Sequence, residues 1–235
     1  MANFLASDSI GGKITPSECV TSEKQLLRSR RVYATAEEAL TAYGRGEPSR
    51  SYAYYRRDES EPCMIVGRWE TSGGKEIRPV YREENAWMHG VLQSERPLYR
   101  LRELLASSPE APVVVTEGEK CAEAVARCGL LAVTSFGGSH GQQKTDWSPL
   151  AGRKVMILPD NDSPGKHHAD KVAALCRKVG ASSVKILRLA DFIEGFPKGG
   201  DIADVVESSQ WLQRLLGEGA TLEDLRDWIL AQVEA

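Results

Sequence analysis

A chain of 235 residues, 41% hydrophobic and 27% charged, carries enough apolar matter for one sizeable α/β domain and a smaller companion, which excludes a wholly disordered protein. A net charge of −3 excludes a general nucleic-acid coat protein, which would be strongly basic, but not an enzyme that grips phosphates locally through metal ions. No apolar run reaches a membrane span, no basic-then-apolar leader is visible, and the five cysteines contain no CxxC pair, so the expectation is a cytoplasmic protein with no zinc and no disulfide framework.

Residues 1–30 are dotted with Ser, Thr and Gly and read as a flexible lead-in that includes Cys19. Thr35-Ala-Glu-Glu38 has the form of a capping box and predicts a short helix ending at Gly44. Three β-type runs follow, Ser51–Tyr55, Met64–Glu70 and Glu76–Tyr81, with Gly73-Gly74 predicting a hairpin turn between the last two. Leu98–Leu105 predicts one or two helical turns after Pro97. Residues 31–108 are therefore read as a small, β-rich α+β module.

From Ala111 the pattern alternates between strand and helix. Strands are predicted at Val113–Thr116, a short continuous apolar run typical of a buried parallel strand, at Leu131–Thr134, at the apolar Val155–Leu158 and at Ser183–Leu187. Helices are predicted at Lys120–Cys128, stopped by Gly129, and at Gly165–Val179, stopped by Gly180. This order implies a parallel, Rossmann-like sheet with flanking helices over residues 109–206. Residues 207–235 form a helical tail, with helices at Gln210–Leu216 and from a Thr221 cap to about Val233. The tail holds two basic and six acidic residues, so it is expected to pack on the body or meet a protein, not DNA.

Open α/β sheets bind ligands beyond the carboxyl ends of their strands. Acids stand at three such places. Glu117 follows the first of these strands, Asp160 and Asp162 follow the third, and Asp201, with Asp204, follows Lys198-Gly-Gly after the fourth. If the strands are neighbours, these carboxylates converge and repel, and a hard divalent cation relieves the repulsion. Mg²⁺ takes a few carboxylates plus water and phosphate oxygens, and Mn²⁺ is an alternative.

Thr116-Glu117-Gly118-Glu119-Lys120 after an apolar strand resembles the Glu-Gly motif of TOPRIM domains. Leu158-Pro159-Asp160-Asn161-Asp162, followed by Gly165, resembles their Asp-x-Asp motif at a similar separation. Lys198-Gly-Gly-Asp201-Ile-Ala-Asp204 looks like the later segment of primase-type members. The resemblance covers roughly Ala111 to Val206. Gly67-Arg68-Trp69, Gly74-Lys75-Glu76-Ile77-Arg78 and Arg96-Pro-Leu-Tyr99-Arg100 also look like the segment that precedes TOPRIM in primase-like proteins of phages and mobile elements. It implies a TOPRIM fold, with Glu117 as acid/base or metal ligand and Asp160, Asp162 and Asp201 as metal ligands. It also implies primer synthesis on single-stranded DNA from nucleotides. The zinc-binding module common in such primases has no Cys/His set here, and no helicase motor follows. Partners that supply a zinc module or a helicase are therefore expected. Two other readings stay open: a Mg²⁺-dependent nuclease using the same acids, and a non-catalytic binding module of a replication complex.

Each signal has a plainer reading. Glu117 alone is more often a helix-dipole partner, and either Asp160 or Asp162 alone is more often a turn or cap residue. The combination, each cluster at a strand end, favours function. The loop from Phe136 to Trp147 invites a P-loop reading, which fails because residue 143 is Gln where Gly is needed. Its Lys144, with Lys120 and Lys166, remains a weak phosphate-binding candidate, as do Arg68 and Arg78 on the β-rich module. Ten acids interleave with the module's bases, so a mixed-charge surface is the default there. His140, His167 and His168 are weak candidates, the last two expected on the surface. Cys121, Cys128 and Cys176 read as small buried hydrophobes, and Trp211 and Trp228 as core.

Overall fold

A computed structural model describes residues 31–137 and 141–234. The expected lead-in with Cys19, and His140, lie outside the described residues.

The first half is a five-stranded antiparallel sheet in the order β1-β5-β4-β3-β2. Its strands are β1 (Val32–Tyr33), β2 (Arg50–Tyr54), β3 (Met64–Thr71), β4 (Gly74–Glu83) and β5 (Ala86–His89), with helix α1 (Ala36–Thr41) between β1 and β2. Half of the expected capping box opens α1: Thr35 Oγ1 accepts the Glu38 N–H at 3.1 Å, but Glu38 Oε2 accepts the N–H of Ala34, one residue before the cap, at 3.0 Å. Side chains alternate across the sheet. Tyr52, Tyr54, Met64, Val66, Tyr81 and Met88 face the second half of the molecule, while Trp69, Val80 and Trp87 pack with Leu40 of α1 on the other face. Gly67 fits this crowding: a Cβ there would meet the Trp69 ring at 2.5 Å and Leu40 at 2.9 Å.

The second half is a four-stranded parallel sheet in the order β7-β6-β8-β9. It comprises β6 (Val113–Thr116), β7 (Leu131–Thr134), β8 (Lys154–Leu158) and β9 (Ser183–Ile186). Helix α2 (Leu101–Ala106) precedes it, and α3 (Glu119–Arg127) and α4 (Ser163–Lys178) follow β6 and β8. Then come α5 (Ile202–Glu207), α6 (Ser209–Leu216) and α7 (Leu222–Glu234). β6 and the Val155–Leu158 run of β8 are unbroken apolar runs because both faces are covered, whereas the edge strand β9 carries Ser183 and Lys185 and is only half-buried. Val113, Val115, Val133, Val155 and Ile157 pack with α2 and α4. Val114, Ala132, Met156 and Leu158 pack with α3, α5, α7 and the tyrosines of the antiparallel sheet in one continuous core.

The expected α/β class, a parallel sheet with flanking helices preceded by a β-rich module, is what the structure has. The acidic tail packs on the body, burying Leu212, Leu225, Ile229 and Val233, with Trp211 and Trp228 packed against them. Lys185 Nζ donates to the Val233 carbonyl at 2.8 Å, placing a cation on the last carbonyls of α7. Among the described residues no helix is long and apolar enough to cross a membrane.

Several expectations are corrected. The strands β1 and β5 have two and four residues, too short to show a period, and exist because they pair with each other and with β4. The helix predicted at Leu98 starts at Leu101, because Tyr99 donates its N–H to the Thr134 carbonyl at 2.8 Å and Arg100 turns the chain at φ 61°. His168, expected on the surface, is buried at 1% exposure. It lies three residues after buried Gly165, on the α4 face that also buries Ala169 and Val172. His167 is exposed as expected.

Candidate metal and phosphate site

The parallel sheet makes the acids neighbours. β6 and β8 pair directly, with Thr116 beside Leu158, so Glu117 and Asp160 leave adjacent strand ends. Asp201 arrives from the loop before α5, where it forms a capping box: its Oδ1 accepts the Asp204 N–H at 3.0 Å and Asp204 Oδ2 accepts the Asp201 N–H at 3.0 Å. One carboxylate oxygen from each of Asp160 and Asp201 and the Cys121 sulfur lie within 4.8 Å of one another. Glu117 lines the same cleft, and its Oε2 is buried with no hydrogen-bond partner.

This cluster is electrostatically strained. Burial, then the neighbouring charges of Glu117, Asp201 and Asp162, push the Asp160 carboxyl up to about 7. Burial and the Asp162 charge raise Glu117. Burial, then Asp201 and Asp160, raise the Cys121 thiol. An orphaned buried carboxylate oxygen beside acids that resist ionising together is the environment a divalent cation relieves, so the residues fit Mg²⁺ or Mn²⁺.

The cleft measures about 340 Å³, room for a small polar ligand. It lies between the two sheets: Tyr52, Arg68, Lys75 and Ile77 line it from the antiparallel side, and Lys120, Phe136 and Gly137 join the acids from the other. Arg68 is bonded to Glu70 at 2.7 Å and Lys120 to Glu207 at 2.9 Å, whereas Lys75 is exposed.

The remaining sequence candidates fall elsewhere. Asp162 is the N-cap of α4, its Oδ1 accepting the Gly165 N–H at 2.7 Å, and it acts on the cluster through its charge. Gly165 is required there, since a Cβ would sit 2.4 Å from the Asp160 carbonyl oxygen. Lys166 is exposed and lines a small recess with Asp160, Asn161 and Arg188. Arg78 is held by Glu76 at 2.5 Å, away from the cleft. Lys144 is also outside it, and its backbone carbonyl accepts the Arg96 N–H at 2.7 Å. The Tyr54 and Trp69 rings of the β-rich module are core, at 0% and 4% exposure, and offer no face for stacking on a nucleic-acid base.

Three features had no sequence signal. Tyr54 Oη donates to Glu119 Oε1 at 2.7 Å, and Tyr99 Oη to Glu123 Oε1 at 2.9 Å, bracing α3 from partners 65 and 24 residues away. Burial raises both Glu119 and Tyr54, so this bond sits in a low-dielectric setting. Cys121, read only as a buried hydrophobe, also places its sulfur at the acids. Asn161 ties the loops that carry Asp160 and Asp201.

No family model matches the chain, and no curated protein matches it. Among solved structures, the chain resembles the Aquifex aeolicus primase (zinc-binding and RNA polymerase domains) at 16% identity and a TM-score of 0.40, over 86% of this chain and 55% of that one. It resembles the DnaG primase catalytic domain bound to ssDNA at 15% identity and 0.32, over 91% of this chain and 79% of that one. It resembles a DNA primase domain from Pseudomonas aeruginosa at 15% identity and 0.35, over 77% and 60%. The chain thus spans little more than half the length of the solved Aquifex aeolicus chain. At these scores the likeness is loose, and the chemistry of the site rests on its own residues.

Proposed function

We propose that the protein is a primase-type, metal-dependent nucleotidyltransferase acting on single-stranded DNA, or a component of such an enzyme. One observation carries this reading. Glu117, Asp160 and Asp201 converge at the edge of a cleft whose opposite wall brings Arg68 and Lys75, with Lys120 beside the acids. A cation held by the acids supplies charge neutralisation to phosphate oxygens. Arg68, Lys75 and Lys120 add fixed positive charge where a polyphosphate or DNA backbone would lie. Glu117, with a raised pKa and one unpartnered oxygen, is placed to hold a proton or a metal bond. The Glu117 and Asp160 motifs serve several kinds of phosphodiester chemistry; the resemblance of Gly67-Arg68-Trp69, Gly74–Arg78 and Arg96–Arg100 to the segment that precedes TOPRIM in primase-like proteins favours primer synthesis among them. Partners supplying a zinc module or a helicase belong to the same proposal.

The test is incubation with single-stranded DNA, labelled nucleotides and Mg²⁺ or Mn²⁺. New labelled oligonucleotides, absent with Glu117→Gln and Asp160→Asn, are the expected result. Shortened DNA, lost in the same variants, would replace this reading with a nuclease. DNA binding that persists in both variants, with no turnover, would leave a binding module.

A further inference from the structure

Asp160 and Asp201 are 41 residues apart in sequence and belong to two loops with no strand pairing between them. What joins these loops is Asn161. Its backbone N–H donates to the Gly200 carbonyl at 2.8 Å, and its carbonyl accepts the Gly199 N–H at 2.8 Å. Its side-chain Nδ2 donates to the Pro197 carbonyl at 2.9 Å and the Phe196 carbonyl at 3.2 Å. The side chain therefore adds two links to the two made by the backbone. On one side of this clasp Gly165 packs against the Asp160 backbone; on the other the α5 capping box fixes Asp201.

We infer that Asn161 is a positioning residue, whose side-chain amide sets the separation of Asp160 and Asp201 and so tunes the affinity of the cleft for a divalent cation. The inference rests on the metal site proposed above. An apolar residue of similar size keeps the backbone pair but leaves the Phe196 and Pro197 carbonyls without this donor. The 196–200 loop is then tied to the Asp160 loop by the two backbone bonds alone, two links instead of four. Aspartate at this position lacks the donor and adds a carboxylate facing those carbonyls. Hydrogen-bonded supports of metal ligands are typically worth about tenfold to hundredfold in metal affinity, without touching the ion.

The experiment is Mn²⁺ binding to the full chain at pH 8, followed by electron paramagnetic resonance, with Mn²⁺ alone as probe. Wild type, Asn161→Ala, Asn161→Ser and Asp160→Asn are compared, and metal-free melting is recorded for each. The expected result is binding by wild type, loss in Asp160→Asn, and affinity about tenfold or more weaker in Asn161→Ala. The metal-free melting temperature of Asn161→Ala should fall by only about 2–4 °C. Asn161→Ser, with a short hydroxyl donor, should fall between alanine and wild type. Wild-type affinity in Asn161→Ala overturns the positioning role while leaving the metal site intact. Affinity lost only in step with global unfolding, in both Asn161 variants, makes Asn161 merely structural and also overturns it. Failure of wild type to bind Mn²⁺, or binding unchanged in Asp160→Asn, removes the metal site and this inference with it.

Discussion

The two halves of the molecule line one cleft by different means, the parallel half with the acids and Lys120, the antiparallel half with Arg68 and Lys75. The parallel half offers acids at strand ends, where a βαβ succession delivers them whatever the details of packing. The antiparallel half offers Arg68 and Lys75 from a hairpin, and these reach the acids only because its tyrosines pack onto α3. The chemistry is thus written locally, in short motifs, while the opposing wall depends on contacts between residues far apart in sequence. Perturbing each half should therefore fail differently: one side loses metal and turnover, the other loses stability or phosphate binding.

The largest effect belongs to the acids. Asp160→Asn or Glu117→Gln should lower nucleotidyl transfer by at least about hundredfold, beyond what loss of an outer hydrogen-bond support costs, with folding intact by circular dichroism. Next comes the seam between the halves. Tyr54→Phe leaves Glu119 without its donor and should cost about 1–3 kcal/mol by urea denaturation. A cycle with Glu119→Gln should show coupling between the two sites. Smaller still, Lys75→Ala should weaken single-stranded DNA binding and reduce the salt slope by about 0.7, while Mn²⁺ binding is retained. The smallest effect is expected at Asp162→Ala, where loss of the α4 cap should cost about 1 kcal/mol in thermal melting.

Proton competition sharpens the same contrast. Asp160 titrates near 7 in the fold against an ordinary value of 3.8, so the fold favours its protonated form. Its contribution to stability is present at low pH and lost as pH rises from about 4 through about 7. Metal-free melting should weaken across that window, and Mn²⁺ affinity should rise through it because the ion displaces the proton. A flat affinity between pH 5.5 and 8 would disconnect Asp160 from the ion.

The sequence made the parallel sheet legible because Val113–Thr116 and Val155–Leu158 are buried on both faces and punctuated by glycine-stopped helices. The acids were legible because each directly follows a strand or a Gly-Gly turn. The strand β5 was not, since four residues carry no period and its identity comes from pairing with β4 and β1. The Asp160-Asn161-Asp162 string reads both as ligands and as a turn and cap, and in the fold Asp162 spends one oxygen on the Gly165 N–H while its charge reaches Glu117 and Asp160. Cys121, Asn161 and the Tyr54–Glu119 pair escaped for one reason: their roles are defined by partners that only the tertiary fold brings near.

The most direct test of the converging acids is calorimetric titration of the protein with Mn²⁺ at pH 8, comparing wild type with Asp201→Asn. Asp201 comes from a different loop than Glu117 and Asp160, so only the folded cleft makes it part of the site. Wild type should bind saturably, and the variant should lose at least about tenfold in affinity. Equal binding by both proteins would contradict a site shared by the converging acids.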